Sequence, residues 1–201
     1  MHASHPQDSR SFPTAARLLA RSWGALALVA ALAIAACHVS DAADTADGGT
    51  QMKLTTSSFH NGLVPRDFTC DGADRSPRLH WTAPPEGTKS LALIVTDPDA
   101  PAGTWVHWVL YNLPATAREL PEDLPKRAHL PDGSLQGQND FGSIGYGGPC
   151  PPRGSTHRYV FELYALDALL SLQPGATRAQ LEKAMQGHVL ALGELMGRYG
   201  R

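Results

Sequence analysis

TDPDAPAGTWVHWVLYNL, Thr96 to Leu113, is the stretch whose reading decides the fold. It follows an apolar run, Leu91 to Val95, and opens on Asp97, Pro98, Asp99 and Pro101. Proline fixes its own φ and restricts the residue before it, so Asp97 is held in extended geometry on a rigid turn. Farther on, Trp105, His107 and Val109 alternate with Val106, Trp108 and Leu110. On a strand, that alternation puts His107 on the face of Trp105. An imidazole beside an indole and near a fixed carboxylate makes a small polar pocket. The same residues also fit a satisfied core histidine and two turn-capping aspartates, and the residues alone leave both readings open.

Upstream, Lys89 to Asp97 is nearly continuous in apolar residues and reads as a central strand buried on both faces, with Val106 to Leu113 as a second. Met52 to Phe59 alternates as an antiparallel strand with one wet face, and His60-Asn61-Gly62 and Pro84 to Gly87 make turns. Leu79 and Trp81 share a face, with His80 pointing to the surface. Downstream, His157, Tyr159, Phe161, Leu163 and Ala165 share one face of a strand, so a histidine and a tyrosine can line one pocket. Between them, Pro114 to Thr156 has few runs capable of regular structure, and its charged first part, to Pro131, is expected to wander. Its second part packs glycine and proline around Gly137 to Gly142 and Gly145 to Pro152. That mixture suits an anion-binding concavity, although the segment on its own favours a plain ordered turn. The C-terminal segment reads as helix: Thr177 and Gln180 form a capping box, and Leu181, Met185, Val189, Leu192 and Met196 recur at helical spacing. Gly187 and Gly193 kink or divide it, and His188 is expected to pack near the apolar face.

The composition, 42% apolar and 18% charged over 201 residues, gives one domain with a sizeable core. A net charge of -2 without a basic patch disfavours nucleic acid. The 16 prolines and 19 glycines point to a loop-rich, mostly β chain. Residues 1–36 read as an export signal: Arg10, Arg17 and Arg21 precede an apolar run from Trp23 to Ala36. Ile34-Ala35-Ala36-Cys37 resembles a bacterial lipobox, which makes Cys37 the lipidated first mature residue, with a plain secretory signal as the alternative. His38 after that cysteine favours the outer membrane by resemblance to enteric sorting rules. Residues 37–51 are small and polar and read as a flexible tether, leaving 52–201 as the domain. With Cys37 committed to lipid, Cys70 and Cys150 remain, an even pair for an oxidising compartment. Bridged, they close a loop of about eighty residues, contributing on the order of 4 kcal/mol.

Two segments, Thr96 to Pro101 with Trp105 and His107, and Gly147 to Gly154 followed by His157-Arg158-Tyr159, resemble the two signature regions of the phosphatidylethanolamine-binding protein (PEBP) family. The likeness is closer to its bacterial, Raf-kinase-inhibitor-like YbhB/YbcL branch through Cys70-Asp71-Gly72, Ser76-Pro77, Asn139 to Gly142 and Gly187 to Ala191, and runs from about Leu54 to Arg201. It implies two antiparallel β-sheets with short helices and a small anion pocket at one end. Carried over by position, the ligand-binding set is Asp97, Asp99, His107, His157 and Tyr159, with Trp105 as a wall and Gly148 and Pro149 at the rim.

These residue types fit a phosphomonoester or phosphoethanolamine-like group, because protonated histidine donates from both ring nitrogens and tyrosine adds a hydroxyl. The expectation is a non-catalytic, lipid-anchored binding protein without cofactor or metal. An inhibitor or scaffold of an envelope enzyme or kinase is the alternative. A hydrolase using Asp97, His107 and His157 ranks lower, because Gly142-Ser143-Ile144-Gly145 lacks the spacing of a nucleophile elbow and there is no HExxH or Walker-type motif. The sequence names no protein partner and leaves a homodimer open.

Overall fold

Strand β3 (Ser90–Asp97) is buried along its whole length, because an unbroken apolar run has no face to give to water. β4 (Trp105–Pro114) and β7 (Thr156–Leu166) pair antiparallel to either side of it. β6 (Leu135–Gln136) and β8 (Val189–Gly200) lie outside those, giving the order β6-β4-β3-β7-β8. A smaller antiparallel sheet joins β1 (Leu54–Thr55), β2 (Leu79–Trp81) and β5 (Glu119–Leu120) in the order β1-β2-β5. The computed structural model describes residues 51–201. The expected export signal, Cys37 and all of the expected tether save Gln51 therefore lie outside the described residues.

Alternate residues of β3 feed two apolar clusters. Leu91, Leu93 and Val95 pack with Leu79 and Trp81 of the small sheet and with Phe161 and Leu163. Ala92 and Ile94 pack with Val109, Tyr111 and, from helix α1 (Arg178–Met185), Leu181 and Met185. The large sheet is thus covered by the small sheet on one face and by α1 on the other.

The alternation expected along β4 is broken. Val95 pairs with Trp108 but Thr96 with Val106, which makes His107 the extra residue of a β-bulge. Consequently Trp108 and Leu110 join the cluster under the small sheet, whereas Val106 and Val109 join the cluster under α1. His107 and Trp105 still meet at the strand's start, where both line one cavity.

The C-terminal helix is shorter than its spacing implied. The capping box at Thr177 and Gln180 starts α1, but the helix stops at Met185, and Gly187 at φ 78 turns the chain into β8. Val189 and Met196, counted as an apolar helix face, are 47% and 44% exposed at the sheet's edge. Small residues replace them inside: a Cβ on Gly193 would stand 2.8 Å from the Met52 carbonyl oxygen. His188 does not pack; its exposed ring meets the Asp167 carboxylate at 2.7 Å. In the N-terminal run only Leu54–Thr55 is strand, shorter than the expected Met52 to Phe59.

The stretch from Pro114 to Pro131 does not wander either. Buried Gln136 accepts from the Trp108 indole N–H (2.8 Å) and donates its amide to the carbonyls of Pro125 (2.7 Å) and Arg127 (2.8 Å). Across the same region, the sulfurs of Cys70 and Cys150 stand at disulfide distance, 2.11 Å apart. Gln136→Leu leaves the buried Trp108 indole N–H without its acceptor and the Pro125 and Arg127 carbonyls without their donor, so urea unfolding is expected to show a loss of about 2 kcal/mol. A loss under about 1 kcal/mol contradicts this role for the amide.

Candidate functional site

At the end of β3, Asp97 is buried and its carboxylate is fully engaged. Oδ1 accepts the Asp99 backbone N–H at 2.8 Å, which closes the proline-fixed turn. Oδ2 accepts from His157 Nδ1 at 2.7 Å, and both side chains are under a tenth exposed. Asp99 faces the other way. It takes the Arg158 backbone N–H at 2.8 Å and the guanidinium at 2.9 Å from Nε and 2.6 Å from Nη2. Those bonds hold the Asp99 carboxyl well below the usual carboxylate range. Asp99 thus clasps the turn to β7 and fixes Asp97 opposite His157.

The bulge residue His107 is held by the Gly137–Gly148 loop. Asp140 N–H donates to the Val106 carbonyl, the Asp140 carboxylate accepts the Val106 N–H, and Gly147 N–H donates to the His107 carbonyl at 2.9 Å. The ring donates Nδ1–H to the Gly147 carbonyl at 2.6 Å. Burial pushes the His107 pKa down, against the opposing pull of the Gly147 carbonyl and the Asp97 charge. Both imidazoles therefore spend Nδ1 on the protein, and Nε2 is the nitrogen each offers to the cavity that both line.

That cavity has a volume of about 310 Å³. Of the expected site residues, Asp97, Trp105, His107 and His157 line it and Tyr159 does not; Phe141 and Arg201, which the sequence reading did not single out, also line it. Phe141 meets Trp105 and His107 edge-on, with ring centroids 5.4 and 5.3 Å apart. Phe141 is an exposed aromatic in a glycine-bounded loop, a signal that could have been noticed; Arg201 gave none. Tyr159 is buried beside the histidines, its ring edge-on to His107 at 5.1 Å. Burial and the nearby Asp97 charge push its hydroxyl far up, so it stays a donor. Gly148 lines a neighbouring cleft with Lys126 and Asp74, and Pro149 is buried without lining either. A Cβ on Gly148 would stand 2.4 Å from the Phe68 carbonyl oxygen, so that glycine serves close packing of the loop.

Among the described residues, four buried side-chain polar atoms lack a partner, and two of them belong to residues that line the cavity, Trp105 Nε1 and Arg201 Nε. Both are donors. No group of three or more metal-ligating side chains is arranged to hold an ion among the described residues. The bonding therefore equips the cavity to receive acceptor atoms.

Two antiparallel sheets with one small, donor-lined cavity at the end of the central strand define the class of protein. The chain belongs to the phosphatidylethanolamine-binding protein family, whose model matches residues 55–200. A UPF0098 protein of Methanothermobacter thermautotrophicus is 51% identical over 151 residues, 75% of this chain and 99% of that one. The crystal structure of Escherichia coli YbcL, described as a member of the mammalian PEBP family, superposes with a TM-score of 0.70 at 34% identity, covering 75% of this chain and 99% of that chain. A putative PEBP homologue of Chlamydia trachomatis superposes at 0.68 with 42% identity, covering 75% and 98%.

The depressed His107 pKa makes stability depend on pH. Between the unfolded value near 6.5 and the lower folded one, only the unfolded chain takes the proton, so stability falls as pH drops below about 6.5. Urea unfolding at about pH 7.5 and pH 5 is expected to show that decline in the wild type and a smaller one in His107→Gln. Equal declines contradict the assignment.

Proposed function

We propose that this chain is a non-catalytic binding protein that holds the phosphate-type head of a small anionic ligand in the cavity between Asp97, His107, His157 and Tyr159. The observation that carries the reading is the meeting of His107, His157, Trp105 and Arg201 around one small hollow, with Trp105 Nε1 and Arg201 Nε lacking a partner in the protein. A buried donor left unpaired costs about 1–3 kcal/mol, and an oxyanion has enough acceptors to satisfy several at once. Once protonated, His157 and His107 add N–H donors at Nε2 and the charge to match. Asp97 stabilises that charge as it orients the ring.

A hydrolytic reading has one point in its favour: an Asp–His pair at 2.7 Å has the geometry of an oriented general base. Against it, the lining residues include no serine or threonine, and the one cysteine among them, Cys150, stands at disulfide distance from Cys70. An inhibitory or scaffolding role has no residue to support it. Residues 1–36 with Cys37 support export and lipid anchoring in the bacterial envelope, facing the periplasm, with the outer membrane favoured by His38. The Cys70–Cys150 pair suits such an oxidising compartment.

Calorimetric titration with phosphoethanolamine and with sulfate, which stays doubly charged throughout, tests the reading between about pH 8 and pH 5.5. The charged or titrating groups facing the two rings are Asp97, Asp74, Tyr159 and Arg201, with the Asp99–Arg158 clasp behind His157. None takes up negative charge on acidification, so affinity for sulfate is expected to rise roughly tenfold, and His157→Ala to lose most of that rise. Flat or inverted pH dependence contradicts the proposal. Release of product from generic phosphatase or esterase substrates, lost in His157→Ala, favours the hydrolase instead.

A further inference from the structure

We infer that Arg201 is the fixed positive charge of this cavity and the residue that makes it prefer dianions over monoanions, whatever the protonation of the histidines. The inference rests on the anion-pocket reading above and names the charge that the pocket selects.

Arg201 lines the cavity, and its guanidinium is held in place on several sides. Nη2 lies 2.9 Å from Asp71 Oδ1, and Nη1 lies 3.4 Å from Cys150 Sγ and 3.5 Å from the Pro151 carbonyl. Asp71 is held in turn by the Tyr199 hydroxyl at 2.7 Å, the largest of the effects that lower its pKa, so it stays a carboxylate. The Arg201 backbone is tied too, its carbonyl accepting Gly154 N–H at 2.7 Å and its N–H donating to Ser155 at 3.3 Å. A side chain so placed gives up little further freedom when it meets a ligand. One donor of its fork, Nε, is buried and has no acceptor in the protein.

The other groups on the cavity do not supply permanent positive charge. Asp97 is an acid, and burial of the His107 imidazole disfavours its cationic form. Above neutral pH, Arg201 is the lining residue that offsets Asp97, since a guanidinium keeps its proton at any working pH. Asp71 neutralises part of that charge through Nη2.

The test compares sulfate with methanesulfonate, a monoanion of similar shape, by calorimetric titration of the wild type, Arg201→Gln and Arg201→Lys at about pH 8 and pH 5.5. Arg201→Gln is expected to weaken sulfate about tenfold at both pH values, to lower the sulfate-to-methanesulfonate preference, and to keep the acid-side rise. Arg201→Lys, with charge but no fork, is expected to restore the preference in part. Unchanged sulfate affinity in Arg201→Gln overturns the inference. So does an equal loss for both anions, which marks a packing role beside Cys150 and Pro151. Failure of the wild type to bind either anion at any pH overturns the pocket reading itself.

Discussion

The hydrogen bond between Asp97 and His157 is the contact on which the site depends. It ties the last residue of β3 to the start of β7, with both groups out of water. A buried carboxylate needs a partner, and removing one member of such a pair is far more costly than the pair is stabilising. The rest of the local structure serves this contact. Two prolines stiffen the turn, Asp99 closes it on Asp97 and clasps Arg158, and Arg158 is the immediate neighbour of His157. The same bond sets the tautomer: with Nδ1–H donated to the carboxylate, Nε2 remains for whatever enters the cavity.

His107 is placed by a different device. A regular strand would alternate His107 with Trp108, but the bulge inserts the histidine as an unpaired residue and lets Trp108 reach the core beneath the small sheet. The loop that follows β6 then supplies the missing partners, Gly147 to the ring and Asp140 to the Val106 backbone. A polar, glycine-rich segment is ordered here because its backbone bonds continue along β4. Two histidines thus reach one hollow by independent routes, one held by a carboxylate and one by a backbone carbonyl.

Much of this was legible in the sequence because its signals are local. An unbroken apolar run of strand length, closed by a proline turn, fits a strand covered on both faces, and the spacing of His157, Tyr159, Phe161, Leu163 and Ala165 fixes which of them point inward. The proline-aspartate turn announced a fixed acid at the end of β3. What stayed hidden depends on partners distant in the chain. A bulge is a mismatch of register between two strands, so Trp105 to Leu110 looked like plain alternation. Asp99 read as a pocket residue because its partner Arg158 is 59 positions away. Val189, Leu192 and Met196 fit helical spacing by coincidence. The truer signs of strand were Gly193 and Gly197, set where other backbone and side chains press against β8. Arg201 is brought to the cavity by the pairing of β8 with β7 and by Asp71, neither of which leaves a local pattern.

The protonation of two rings is the most direct reading of how the site is built. Nitrogen-15 NMR of the imidazoles at about pH 7.5, with and without sulfate, reads which ring nitrogen carries the proton. Nδ1–H with a bare Nε2 is expected at both His157 and His107 in the free protein, and protonation at Nε2 of His157 as sulfate is added. A free protein with the proton on Nε2 of His157, or a spectrum that sulfate leaves unmoved, would contradict that expectation.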